Sequence, residues 1–462
     1  MANVARPRPP SIERLLAVVR SRLSAPIDRA ILTNAARDVV AAERQRLLDG
    51  HGRSNGSGLD LDRLADEVIA RLESAGSAWL AGLESVINAT GVIVHTNLGR
   101  ASWPAEAIEA AEHAARAPLL LELDRESGRR GRRYRVAEET LIALTGAEDA
   151  LVTNNNAAAV ALAVGLAGRG GGVLVSRGEL VEIGGGVRIP EVVRRAGARL
   201  IEVGTTNRTR VEDFEGPLAE GRARFVLRVH RSNFRQEGFT EDPDPAALAV
   251  LAHRHGAVVI DDLGSGALID TARFGLAHEP LPSERLAAGS DVVTFSGDKL
   301  VGGPQAGLMV GRADLIGRIR KDPLARAMRP DKVALAAVAA TLALYRAGRA
   351  ESAIPVWRMI ATPAPDLETR ARRLAKDLGP GVDVVRVEST VGGGSLPGET
   401  LPSFGIALGG VSADRLLAAL RRGNPAVIGR IDAERVVLDL RTVERTSDGE
   451  LAAAIGTALV SV

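Results

Sequence analysis

Seven short apolar runs constrain this chain more than any other feature. They are Ala150-Leu-Val-Thr153, Gly172-Val-Leu-Val-Ser176, Arg199-Leu-Ile-Glu-Val203, Phe225-Val-Leu-Arg-Val229, Ala257-Val-Val-Ile-Asp261, Val292-Val-Thr-Phe295 and Leu308-Met-Val310. Helical patterns separate most of them. Continuous apolar strands interleaved with helices predict an α/β fold: a mainly parallel seven-stranded sheet covered by helices on both faces. The last run follows its neighbour too closely for a helical crossover, so that pair is predicted antiparallel.

Around this sheet the chain divides into further parts. Residues 11–48 read as helices, with Leu15, Leu16, Val19 and Leu23 at helical spacing, and the Gly/Ser stretch Gly50 to Gly58 reads as a linker. A helical module over 1–58 is therefore expected, then a linker helix within 59–85, a large domain over 86–330 and a small α+β domain over 331–462. The last is predicted from the helix Val333 to Tyr345, strand candidates Val382–Val387, Phe404–Leu408, Ala426–Ile431 and Val436–Leu440, and a helix over Ser412 to Arg422. Residues 1–58 hold ten arginines against five acidic residues. That excess suits phosphate backbones and equally a solvated helix face. With no cysteine in 462 residues, disulfides, thiolate metal sites and a cysteine nucleophile are excluded, and no metal site is expected. No apolar run reaches the length of a membrane helix and the first residues lack a signal-peptide core, so a cytoplasmic location is expected.

The chemistry centres on Lys299, in Ser296-Gly-Asp-Lys-Leu-Val-Gly-Gly-Pro304. The chain has four lysines; Lys321 and Lys332 sit in charged, Pro-flanked stretches and Lys376 on an Arg-rich helical run. Lys299 alone ends an apolar strand, where desolvation lowers an amine's pKa and makes it a Schiff-base nucleophile of the pyridoxal 5′-phosphate (PLP) kind. A strand-end lysine reaching back to solvent is the plain structural alternative. Asp261 and Asp262 end another strand, and a carboxylate there suits the pyridine nitrogen; Asp262, two residues before Gly264, fits better than Asp261. Thr153, Asn154, Asn155 and Asn156 open an alanine-rich helix and are candidates for a phosphate cup, with Ser296 as a further one. No aromatic residue for stacking on the ring is evident after Ser176.

Several long stretches resemble bacterial selenocysteine synthase, the L-seryl-tRNA(Sec) selenium transferases. They are Pro10 to Leu16, Ile87 to Arg100, Ser127 to Gly131, Ser176 to Gly185, Ser296 to Leu300, Gly392 to Ser395 and Leu401 to Ser403. The resemblance implies a fold-type I PLP-dependent transferase with an N-terminal tRNA-binding domain, assembled as a homo-oligomeric ring of dimers, a homodecamer. It implies that Lys299 carries PLP with Asp298 assisting, and that Arg100, Arg326 and Arg329 bind the anionic group of selenophosphate. Seryl-tRNA(Sec) would be dehydrated to aminoacrylyl-tRNA, and selenium addition would give selenocysteinyl-tRNA(Sec). Independently, Arg326 and Arg329 stand at i, i+3, and two guanidiniums on one helical turn suit a tetrahedral oxyanion. The competing readings are a related PLP-dependent lyase acting on a free small amino acid or amino sugar phosphate, and a non-catalytic RNA-binding protein on a PLP fold.

Overall fold

The structure is a computed structural model and describes residues 10–23, 27–48, 61–76, 84–133 and 135–461. Two compact units, Met1–Ser85 and Val86–Val462, divide the chain.

In the first unit, α1 (Ile12–Arg22), α2 (Arg29–Leu48) and α3 (Leu61–Gly76) pack together. Ser11 caps α1 by accepting from the Arg14 N–H. Leu15, Leu16 and Val19 meet Leu32, Ala36 and Val39 of α2 and Leu64, Ala65 and Val68 of α3. The helix expected as a linker is thus the third member of a bundle, because its apolar stripe is buried only against the other two. Arg22 adds ion pairs to Asp62 and Asp66 of α3. The Gly50 to Gly58 linker lies outside the described residues.

The second unit opens with β1 (Val86–Asn88) and β2 (Val92–Val94), followed by β3 (Asp149–Thr153), β4 (Gly172–Ser176), a small hairpin of β5 (Glu182–Ile183) and β6 (Val187–Arg188), β7 (Arg199–Val203), β8 (Phe225–Val229), β9 (Val258–Gly264), β10 (Val292–Ser296) and β11 (Gly307–Gly311). Seven of these form one sheet in the order β3-β11-β10-β9-β8-β4-β7. Its pairs are parallel except those of β11, which runs antiparallel to both β10 and β3, as the short connection predicts. Nearly every residue of β3, β4, β8, β10 and β11 is buried, so these strands read as unbroken apolar runs.

The C-terminal strands are β12 (Val382–Gly392), β13 (Thr400–Leu408), β14 (Ala426–Ile428), β15 (Arg430–Asp432) and β16 (Arg435–Asp439). Four of them join β2 in the order β15-β16-β13-β12-β2, while β14 pairs with β1. Residues 86–94, expected with the larger domain, therefore hydrogen-bond to the C-terminal strands. The single strand expected over Ala426–Ile431 is broken at Gly429, where a Cβ would lie 2.5 Å from the Leu438 side chain and 2.9 Å from the Val437 carbonyl. The ends of β8, β9 and β10 bring His230 to Ser232, Asp262 and Lys299 to one edge of the large sheet, the position where open α/β sheets bind ligands.

Candidate active site

Lys299 sits in the turn after β10, which is closed by Gly303 N–H donating to the Gly297 carbonyl and tied to the end of β9 by Leu300 N–H donating to Ser265. Its side chain enters a cleft of about 450 Å³ lined also by Thr96, Arg100, Ser232, Gly393 and Ser395. Burial lowers the amine's pKa, the Arg100 guanidinium adds to the effect, and the carboxylates of Asp262 and Asp298 oppose it. Two glycines make room for the side chain. A Cβ on Gly394 would come within 2.5 Å of the Lys299 Nζ, and one on Gly264 within 3.9 Å.

Asp262 is buried, and its Oδ1 accepts from Asn156 Nδ2 at 2.8 Å and from Thr294 Oγ1 at 3.0 Å. Burial raises its pKa, while those two hydrogen bonds and the Lys299 charge pull the other way. Asp261, one residue earlier on the strand, faces away, toward Ser290 at 3.4 Å and Arg285 at 3.7 Å. The alternation of β9 thus gives the lysine cleft one aspartate and the opposite face the other. Asp298 is buried beside the lysine and accepts from Arg100 Nη1 at 2.6 Å. Arg100 follows Gly99 and is itself in the left-handed region at φ +66°, closing a turn by its N–H to the His95 carbonyl.

The Thr153 to Asn156 stretch divides its work in a way composition does not show. The Thr153 hydroxyl donates to the carbonyls of Asn155 and Gly307, Asn155 caps its helix by accepting from Ala158 N–H, and Asn156 holds Asp262. Asn154 is the exposed member; its backbone N–H donates to the Met328 carbonyl. For an anion this leaves the side chain of Asn154 and the first-turn N–H groups of the helix Asn156–Gly165. Ser296 is buried at the end of β10, paired with Gly307. Arg326 and Arg329 do not join the Lys299 cleft. They line a second cleft of about 480 Å³ with Thr153, Glu122, Arg133 and Arg320, where Arg329 lies 3.6 Å from Glu122. Of the three arginines, the chain brings only Arg100 to the lysine.

A pyridine ring with a phosphate fits these groups. The Asn156 Oδ1 and the Ser395 Oγ are buried without a hydrogen-bond partner among the described residues, the amine is desolvated, and a held carboxylate stands beside it. Thr294, Ser232, Thr96 and Gly394 are site residues that sequence reasoning missed. Thr294 lies in an apolar strand, and its only signal is a hydroxyl level with Asp262 on the neighbouring strand. In the first unit, Arg14, Arg20, Arg29, Arg37 and Arg44 are exposed on α1 and α2.

Comparison with known proteins adds to this geometry. Residues 86–444 match the family model described as SelA, L-seryl-tRNA selenium transferase. The chain is 44% identical over 444 residues to the L-seryl-tRNA(Sec) selenium transferase of Rhizobium meliloti (strain 1021), covering 94% of this chain and 93% of that protein. It is 46% identical over 411 residues to the protein of the same name from Moorella thermoacetica, covering 87% and 86%. Among solved structures, D-glucosaminate-6-phosphate ammonia-lyase superposes with a TM-score of 0.59 at 21% identity, over 83% of this chain and 98% of that one. The fold shared with that lyase is fold type I.

Proposed function

The chain belongs to the L-seryl-tRNA selenium transferase family, and from that membership we propose that it converts seryl-tRNA(Sec) to selenocysteinyl-tRNA(Sec) with PLP as cofactor. The observation that carries the reading is the desolvated Lys299 amine beside Asp262, a carboxylate that Asn156 and Thr294 hold in place. PLP, when bound, supplies an electron sink that makes the seryl Cα acidic and lets the β-hydroxyl depart. Lys299 carries the cofactor and moves the Cα proton, since a buried amine keeps its lone pair available nearer neutral pH. Asp262 keeps the ring nitrogen protonated. Asn154 and the first-turn N–H groups that follow it take the phosphate. Asp298 orients Arg100, which presents a charge-assisted donor to the cleft.

In this reading selenophosphate is the selenium donor and Arg100 binds its anionic group. Arg326 and Arg329, in their separate cleft, reach the donor of a neighbouring subunit in a homo-oligomeric ring of dimers, the assembly that would bring the two clefts together. The bundle of α1, α2 and α3 forms the tRNA-binding module, 95–330 the PLP domain, and 331–462 together with β1 and β2 the small domain. The exposed arginines of α1 and α2 support the first of these assignments. The enzyme works in the cytoplasm; among the described residues no helix is long and apolar enough to cross a membrane. The lyase and the non-catalytic alternatives are not favoured, because relatives matching most of the chain carry the transferase name.

The test is Lys299→Ala in the full chain. It should lose borohydride-fixable PLP and selenocysteinyl-tRNA formation while keeping the wild-type circular dichroism spectrum. A variant that still fixes PLP covalently would show that another amine carries the cofactor.

A further inference from the structure

Tyr345 lies on the helix Lys332–Arg346, and its hydroxyl reaches the two carbonyls that follow the lysine, Leu300 at 3.1 Å and Val301 at 2.9 Å. The same oxygen accepts from the indole N–H of Trp357 at 2.6 Å. Trp357 is fully buried on the helix Pro355–Ala361. One hydroxyl hydrogen is shared between two carbonyls while a lone pair takes the indole proton, so each polar group in this apolar setting has a partner. Burial pushes the phenol's pKa far above its ordinary value, so it remains a neutral donor at every working pH. The surrounding cluster joins Leu300, Ile354, Trp357 and Leu396. It thereby ties the lysine turn to the segment just after Gly394, whose backbone faces the amine. Gly302 of the same turn is pressed against Ile354, where a Cβ would lie 2.3 Å from its Cγ2.

We propose that Tyr345 and Trp357 are a positioning pair for the transferase reaction: they fix the backbone after Lys299 and so aim its amine into the cleft. The proposal rests on Lys299 as the residue that carries PLP. A loosened turn lets the amine regain water, which moves its pKa back up.

The experiment compares full-length wild type, Tyr345→Phe, Trp357→Phe and Ile360→Val. The last trims the same cluster without touching the hydroxyl. Each apoprotein is mixed with PLP over a pH series and reduced with borohydride, the Lys299 peptide is quantified by mass spectrometry, and a melting curve is recorded. Tyr345→Phe should raise the midpoint pH of fixation by about one unit, a tenfold change in free amine at neutral pH. Trp357→Phe should raise it less, and Ile360→Val should lower the melting temperature with the midpoint unmoved. If both aromatic variants keep the wild-type midpoint and lose only thermal stability, the pair is ordinary core and the proposal falls. Fixation of wild type at another lysine would overturn the Lys299 reading, and the pair's role with it. Should Tyr345→Phe fail to fold, Trp357→Phe decides alone, since it removes the indole donor that orients the phenol: a midpoint equal to wild type then overturns the pair.

Discussion

Replacing Gly394 by alanine isolates the space that the lysine amine needs. The new Cβ would stand 2.5 Å from Lys299 Nζ and 3.0 Å from its Cε, about 0.9 Å short of the 3.4 Å at which ordinary contact begins. The lysine end has to give way, and a displacement near 1 Å costs up to ~100-fold in a reaction that depends on placement. Gly394 also has φ +79°, where a side chain is strained by about 1–3 kcal/mol whatever its surroundings. The control is Gly410, at a similar φ of +83° but outside the cleft, with nothing within 4 Å of where its Cβ would stand. Both alanine variants should therefore lose similar thermal stability. Only Gly394→Ala should slow PLP uptake, followed by visible absorbance, and selenocysteinyl-tRNA formation, by at least ~10-fold. Equal rates in the two variants would refute the claim that this glycine exists to admit the amine.

Arg326→Ala and Arg329→Ala should leave PLP uptake and release of the seryl hydroxyl intact but slow selenium transfer, since each removes a charge-assisted bond worth about 1.5–3 kcal/mol, or roughly ten- to a hundredfold; following the two stages separately on loaded seryl-tRNA checks this. Reversing Arg20, Arg29, Arg37 and Arg44 to glutamate should weaken tRNA binding and flatten its salt dependence while PLP uptake stays normal, and filter binding at several salt concentrations reads both. Burial opposes ionisation of Asp149, but hydrogen bonds from Arg320 and Arg132 prevail and hold its pKa at about 2, against 3.8 for a free carboxyl. Its stabilising contribution is thus complete above pH 3.8 and lost as the pH falls toward 2, so Asp149→Asn should flatten the fall of melting temperature across that window.

The large sheet was legible because most of its strands are buried on both faces, and even the antiparallel β11 followed from the shortness of its connection. Asp262 and Lys299 were legible because each polar residue ends an apolar run. What stayed hidden is tertiary. Thr294 reads as an ordinary β-former until β10 is laid beside β9, and Gly394 as one of several turn glycines until the lysine is seen against it. The three asparagines after Thr153 were visible as an excess, but only the structure divides them between a helix cap, a brace for Asp262 and an exposed position. Gly429 looked compatible with one continuous strand, but the residues before it pair with β1 and those after it with β16, in different sheets.

The pairing of β1 with β14 and of β2 with β12 bears on how the molecule comes off the ribosome. Val86 meets Ala426, and Val92 meets Thr390, so the first strands made in the second unit wait some three hundred residues for their partners. Contacts so distant in sequence close late, and until they do the apolar edges they cover are open to chaperones and to aggregation. The lysine cleft follows the same schedule. One wall, Thr96 and Arg100, is synthesised long before Lys299, and the other, Gly392 to Glu399, long after it. A nascent chain can therefore complete the central sheet through Gly311 and still have no enclosed place for a cofactor, so loading falls at the end of translation rather than during it.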